Sequence, residues 1–329
     1  MDQEQNLVFM GTPPFAASIL EKLATWPLGK IVGVYTQPDR KASRGHKTSI
    51  SAVKAKAQDL GLKVFQPETL KNPAYVAELA DLKPDFLLVA AYGLLLPESI
   101  LNIPKFPTLN VHASLLPKYR GAAPIQRAIL EEYQENAVTG VSIMQIIKAL
   151  DAGPVYAQAS LPIGEHTQDS LLEALAPLGA DLLLSVLDKL LKGEIEPKPQ
   201  DDNLATYAAK IEKADGFINF AAKALKVHAQ IRAVTSKPGA QVNLKLDKLA
   251  KSLEVKLLPG KISQEECQTS PGLVRLDKDG LAISCQDYWY QLSFVKPQGR
   301  SFMPSKAFIN GYLQNVPLGL CGKVEKCEN

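Results

Sequence analysis

Three side chains in this 329-residue sequence have types and spacing that suit chemistry on a carbonyl carbon. Asn110 and His112 stand two apart in Thr108-Leu109-Asn110-Val111-His112, an alternating run that reads as the end of a strand. Two apart on a strand means one face. A neutral amide donor beside a titratable imidazole suits a developing oxyanion. Ligands of open α/β sheets sit outside the carboxyl ends of the strands, where these two residues fall. Asp151, in Leu150-Asp151-Ala152-Gly153 behind the apolar run Val138–Ile146, would supply a carboxylate at a strand end of the same sheet. Each signal alone is ordinary: an N-x-H is more often a loop-end histidine, and D-x-G is most often a turn.

The elements that must position these groups follow from periodicity. Asn6–Met10 is a short apolar strand closed by Gly11, with Thr12 placed to cap and Pro13 to open a helix. Phe15, Ile19, Leu20 and Leu23 recur at helical spacing, and Ile31–Thr36 forms a second strand. This βαβ start looks like a nucleotide-binding fold. Gly11-Thr12-Pro13 is not G-x-G-x-x-G, so a dinucleotide is disfavoured. Helices are expected over Ala52–Leu60, Tyr75–Leu82, 124–133 and the leucine-rich stretch ended by Gly193, with a brief strand at Lys63–Phe65. Phe86–Ala91 is apolar throughout, as a parallel strand buried on both faces must be, and it runs into Tyr92-Gly93-Leu94-Leu95.

Residues 194–207 are polar and proline-rich, a linker by composition. Domains are therefore expected at 1–193 and 208–329. The second holds a helix over Ala221–Val234 and alternating segments near 240–246, 253–258, 272–276, 281–285 and 289–295, which suggest a small barrel. It carries eighteen Lys and Arg against eleven Asp and Glu over 209–329, whereas residues 1–208 carry nineteen against twenty-three. Such a split suits a polyanion partner for the C-terminal part, or a merely solvated lysine-rich surface.

Gln37–Ser51 is long for a loop inside a compact domain, and such loops are often functional. It carries Arg40, Lys41, Arg44 and Lys47 against Asp39, so it could track phosphates, or it is a solvated excursion. The acidic N-terminus is no secretory signal, and no single apolar run approaches the ~20 residues of a membrane span. Cys267, Cys285, Cys321 and Cys327 lack C-x-x-C spacing, and His46, His166 and His228 are scattered, so neither zinc nor a disulfide framework is supported. A reducing cytoplasm is expected.

The run from Asn110-Val111-His112-Ala113-Ser114-Leu115-Leu116-Pro117 through Lys118-Tyr119-Arg120-Gly121-Ala122-Ala123-Pro124-Ile125-Gln126 resembles the signature of the formyltetrahydrofolate-dependent formyltransferases. The Gly11-Thr12-Pro13 turn is standard there, usually with an acidic residue where Pro14 stands. The resemblance covers almost the full length, strong over 1–190 and thinner after 235. It implies an α/β protein with a Rossmann-like, mostly parallel sheet and a smaller OB-like barrel that holds tRNA. It also implies transfer of the formyl group of 10-formyltetrahydrofolate to the α-amino group of initiator methionyl-tRNA, with no metal.

By the same resemblance Asn110 and His112 donate to the oxyanion, and Asp151 holds or charges His112 and moves a proton. Val89, Ala90, Tyr92, Gly93, Leu95, Ser114, Leu115, Leu116 and Pro117 would hold the folate. Loop 37–51 is similar to the insertion that distinguishes the tRNA-acting members, so Arg40, Lys41, Arg44 and Lys47 would contact tRNA, with Arg44 matching the arginine that matters most. A monomer is expected. Departures are small: Ala149, Ala152 and Ala113 replace a glycine, a threonine and a glycine, Lys41 and His46 stand where proline and lysine are common, and Thr235–Ala240 lacks a tryptophan. The alternatives are a sugar-nucleotide formyltransferase, a formyltetrahydrofolate hydrolase and a catalytically silent RNA-binding protein. The basic loop and basic C-terminal half argue against the first two, and the intact Asn110, His112 and Asp151 against the third.

Overall fold

A computed structural model describes residues 4–41 and 48–325. Contacts divide the chain into two compact units. One comprises Met1–Pro124, Thr139–Leu161 and Leu172–Ala208; the other comprises Ile125–Val138, Pro162–Leu171 and Ala209–Asn329. Residues 194–207 thus belong to the first unit, and two inner segments join the C-terminal part.

The first unit is built on seven strands: β1 (Gln5–Gly11), β2 (Gly29–Tyr35), β3 (Val64–Phe65), β4 (Phe86–Ala90), β5 (Leu109–His112), β6 (Val138–Gln145) and β7 (Val155–Pro162), in the order β7-β6-β5-β4-β1-β2-β3. The pairs β1–β2, β1–β4, β2–β3 and β4–β5 are parallel, and β5–β6 is antiparallel. The sheet is therefore mostly parallel, and β5 is the strand at which its direction changes. Every residue of β4 is buried, as its uninterrupted apolar sequence requires.

Helices α1 (Pro14–Leu23), α2 (Ala52–Asp59), α3 (Pro73–Asp81) and the single turn α4 (Glu98–Leu101) connect the parallel strands. The start of α1 differs from expectation. Its N-cap is Pro13 and Pro14 is its first residue, because the Thr12 hydroxyl donates instead to the carbonyl of Tyr92 at 2.9 Å. Ser51 caps α2 by accepting the N–H of Lys54, and Asn72 caps α3. Helix α5 spans Pro124–Glu131.

Helix α6 (Gln168–Lys192) is long and apolar enough to cross a membrane by length and composition. It is the leucine-rich helix expected before Gly193, its leucines interrupted by Pro177 and Asp181. Here it acts as a core helix. Leu175, Leu183 and Leu187 are buried. A Cβ on Gly179 would lie 2.9 Å from the Val111 side chain of β5, so the helix rests directly on the strand that carries the candidate site. Asp181 pairs with Lys22 at 3.0 Å, and Asp188 accepts the Trp26 indole N–H at 2.8 Å.

The second unit carries helix α7 (Ala224–Val234) and a sheet of nine strands: β8 (Gln241–Leu246), β9 (Leu253–Leu257), β10 (Lys261–Glu266), β11 (Leu273–Asp277), β12 (Gly280–Ser284), β13 (Tyr288–Gln291), β14 (Phe294–Pro297), β15 (Met303–Pro304) and β16 (Gly319–Glu325). Their order is β10-β13-β12-β11-β16-β8-β9-β14-β15, and all eight neighbouring pairs are antiparallel. Sequence alternation found β8, β9, β11 and β12. It merged β13 with β14 and passed over β10, β15, β16 and helix α8 (Ser305–Tyr312). Strand β10, with its Ser-Gln-Glu-Glu end, is largely exposed and has no apolar alternation to betray it.

Candidate functional site

Strand β5 delivers Asn110 and His112 to one end of the sheet. Opposite them in β6 stand Met144 and Ser142. His112 is 6% exposed, and its Nε2 lies 3.1 Å from the carbonyl oxygen of Tyr119. A carbonyl only accepts, so Nε2 carries the proton in this bond. That leaves Nδ1 as the ring atom facing Asp151, whose Oδ2 is 3.7 Å away. The Asn110 amide has no side-chain hydrogen bond among the described residues, so its two donors are available to a ligand.

Asp151 is itself tightly held. Its Oδ2 accepts the backbone N–H of Gly121 at 2.9 Å, and its backbone is left-handed, with φ +48°. Aspartate tolerates that region better than most residues. Gly153 closes the turn, and a Cβ there would lie 1.9 Å from the Gln145 carbonyl oxygen. Glycine is required by this close approach of two backbones.

The loop after His112 is fixed by small polar residues. The Ser142 hydroxyl donates to Ser114 O at 2.7 Å and accepts from Leu116 N at 3.1 Å and Gln158 Nε2 at 2.8 Å. Ser114 donates to Lys118 O, and Gln158 also donates to Leu116 O. Ser142 and Gln158 were invisible in the sequence, where they are merely polar positions of two strands.

The expected folate residues separate into two sets. Val89 and Tyr92 are buried in the core with Val8, Met10, Tyr35 and Leu70, and burial pushes the Tyr92 phenol upward. Ala90, Ser114 and Leu116 are also buried, Leu115 and Pro117 are half-buried, and Leu95 is 82% exposed. Around Ala91 (φ +46°) and Gly93 (φ +82°) the chain turns through left-handed backbone. Gln37 Nε2 donates to Tyr92 O at 3.2 Å there.

Of the expected tRNA-contacting residues, Arg44 and Lys47 lie outside the described residues. Arg40–Lys41 pairs antiparallel with Thr48–Ser49. The base of that loop is anchored at Asp39, which accepts from Lys54 Nζ at 2.5 Å and from Gln66 Nε2 at 2.8 Å. These bonds, the Lys54 one foremost, hold its carboxyl below the usual carboxylate range. Among the described residues no group of three His, Cys, Asp or Glu side chains is arranged for a metal ion.

A Rossmann-like sheet with an amide, an imidazole and a carboxylate at one strand end, followed by an antiparallel C-terminal unit, matches two family models: formyl transferase over residues 5–187 and the formyl transferase C-terminal domain over 210–313. The chain belongs to the formyl transferase family. It is 51% identical to methionyl-tRNA formyltransferase of Desulfovibrio desulfuricans, over 100% of this chain and 99% of that one. It is 45% identical to the enzyme of the same name from Nitratidesulfovibrio vulgaris, over 98% and 97%. Among solved structures it shares the fold of an N-formyltransferase of Helicobacter canadensis, crystallised with folinic acid and dTDP-3-aminofucose (TM-score 0.62, 19% identity, 88% of this chain and 99% of that one). HypX of Aquifex aeolicus in complex with tetrahydrofolic acid also matches (TM-score 0.60, 18% identity), over 95% of this chain and 48% of its own.

Proposed function

We propose that Asn110, His112 and Asp151 carry out formyl transfer from N10 of 10-formyltetrahydrofolate to the α-amino group of initiator methionyl-tRNA. The reading rests on the Asp151 carboxylate held 3.7 Å from Nδ1 of His112, with the donors of Asn110 uncommitted on the same strand end. An α-amino group titrates near ~7.7–8, so a neutral fraction exists at neutral pH. That amine attacks the formyl carbon, and the carbonyl electron pair moves onto oxygen. The Asn110 amide and the protonated His112 ring donate to this oxyanion, each such donor being worth ~10²–10³ in rate. Asp151 takes the proton from the attacking nitrogen, directly or through water. Asp151 then delivers that proton, directly or through water, to N10 as the carbon–N10 bond breaks and the carbonyl re-forms, leaving formylmethionyl-tRNA, tetrahydrofolate and the carboxylate as it began.

The turn at residues 90–95 suits the flat heterobicycle of the folate. With Val89 and Tyr92 directed into the core, a ring there meets backbone donors and acceptors beside Leu95, as an amide-edged ligand needs. We read the nine-stranded C-terminal sheet as OB-like. With its excess of Lys and Arg it holds tRNA, while Arg40, Lys41, Arg44 and Lys47 approach the acceptor end. The enzyme acts as a cytoplasmic monomer without a metal.

One assay tests the whole reading. The protein is incubated with 10-formyltetrahydrofolate and either initiator or elongator tRNA charged with methionine. Formylmethionine is expected on the initiator alone. Formylation of an aminosugar nucleotide, or release of formate with neither tRNA modified, would replace tRNA as the acceptor. An Arg44→Ala chain is expected to lose use of the initiator while folate binding stays within about threefold.

A further inference from the structure

Gln200, in the proline-rich stretch before Ala209, ties together the two loops that carry the candidate groups. Its Oε1 accepts from Nε and Nη2 of Arg120 at 3.0 and 2.9 Å. Its Nε2 donates to the carbonyl oxygens of Asp151 and Gly153 at 2.8 and 2.7 Å. All the hydrogen-bonding capacity of the amide is used, and its orientation is unambiguous, since a guanidinium only donates and a carbonyl only accepts. Arg120 is 3% exposed and its Nη2 also reaches Asp202 at 2.8 Å.

The backbone around Gln200 reinforces the tie. On one side Val155 and Lys198 exchange both backbone hydrogen bonds at 2.8 Å, fastening the strap to the chain just after Gly153. On the other, Thr206 accepts Tyr119 N on its hydroxyl and Arg120 N on its carbonyl, both at 2.9 Å. Tyr207–Ala208 then pairs in parallel with Arg120–Gly121. Residues 198–208 therefore run from the Asp151 turn to the loop that supplies the Tyr119 carbonyl to His112 and the Gly121 N–H to Asp151.

We infer that Gln200 is a positioning residue for formyl transfer: it fixes the Asp151 turn against the Arg120 loop, and so sets the separation of Asp151 from His112. The inference rests on the proposal that these two groups act in the reaction. A left-handed aspartate persists only where its surroundings over-determine it, and the two Gln200 bonds fall on its own carbonyl and that of Gly153. Misplacement of a reacting group by 1 Å costs on the order of 10²-fold in rate. Gln200 meets Asp151 only at its backbone carbonyl and touches no side chain expected to meet substrate, so its loss acts on turnover and not on binding.

The test uses the full chain with 10-formyltetrahydrofolate and initiator methionyl-tRNA, in single-turnover and steady-state formats. Three variants are compared. Gln200→Met keeps length and loses every bond; Gln200→Glu keeps a partner for Arg120 but turns acceptors toward two carbonyls; Asp151→Asn serves as reference. Both Gln200 variants are expected to lower the saturated rate constant about 10- to 100-fold, with KM for each substrate within about threefold and melting within about 10 °C of the parent chain. Rates within twofold of the parent, while Asp151→Asn is inactive, would overturn the role of Gln200 and leave the site intact. So would a proportionate rise in KM, or a melting loss beyond 10 °C in both variants, since either makes Gln200 a binding or purely structural residue. An active Asp151→Asn chain would end both readings.

Discussion

The carboxylate of Asp151 is anchored on the backbone N–H of Gly121, 2.9 Å away, and not on the imidazole it faces at 3.7 Å. The anchor fixes where the negative charge sits, while the gap leaves Nδ1 of His112 free to exchange a proton with a third group. Removing the charge while keeping the shape isolates that function. Asp151→Asn is expected to lower single-turnover formylation by at least ~10²-fold, within the range for general acid–base assistance. His112→Ala should do the same, and Asn110→Ala should cost ~10²–10³ as a lost oxyanion donor. Initiator tRNA binding, followed by filter retention, should stay within threefold in all three. Turnover at the parental rate in any of them would remove that residue from the chemistry.

The placement of part of this candidate site is legible in the sequence. Strand alternation puts Asn110 and His112 on one face, and the apolar run 86–91 announces a doubly covered strand, which spans 86–90. The framing residues were not legible. Gln200 sits in a stretch whose prolines and acids read as linker, and its role depends on a carbonyl 49 residues away. Ser142 is one polar residue within a buried strand, Ser142 and Leu116 meeting only once β5 and β6 are aligned. Periodicity reports which face of an element is apolar. It carries no information about which distant carbonyl a side-chain amide will find.

Gly153 shows how closely the Asp151 turn is packed. A methyl group at this position would sit 1.9 Å from the Gln145 carbonyl oxygen, and backbone cannot swing aside as a flexible side chain can. Gly153→Ala is therefore expected to cost about 1–3 kcal/mol, the usual range for overpacking, and to lower the rate by displacing Asp151. Denaturant melts and single-turnover rates check the two effects together. Parental values in both would mean that the turn shifts freely.

Acid should weaken the second unit through His228. Its Nδ1 lies 2.8 Å from the Tyr290 hydroxyl and its Nε2 lies 2.7 Å from Glu165, while Tyr290 accepts the Gly260 N–H at 2.7 Å. Gly260 to Tyr290 to His228 to Glu165 is a consistent donor chain only with a neutral ring. Burial holds His228 below its ordinary range, against the opposing pull of Glu165; nearby Arg232 adds to the lowering. The hydrogen bond from His228 holds Glu165 below its usual value. As pH falls below about 6.5 the unfolded chain takes up the histidine proton first. Below about 4.5 the unfolded Glu165 does likewise. Both steps remove stability in the same direction. Urea melts should show a loss between pH 7 and 5 that is smaller in His228→Leu, itself less stable at pH 7 by about 1–3 kcal/mol. An unchanged slope in that variant would assign the acid sensitivity elsewhere.

The cysteines should divide by burial. Cys285 is fully buried and Cys321 is 3% exposed, whereas Cys267 is partly exposed. Burial pushes the Cys285 thiol up to about 12 and the Cys321 thiol to about 11. The thiolate is the reactive form, so at pH 8 these two lack both the ionised state and access for a reagent. Brief iodoacetamide treatment of the native protein, followed by peptide mass mapping, should label Cys267 at least tenfold faster than Cys285 or Cys321, and urea should abolish the difference. Rapid native labelling of Cys285 would mean that the chain just after strand β12 opens locally well below the unfolding transition, so that burial in the native fold does not protect this thiol.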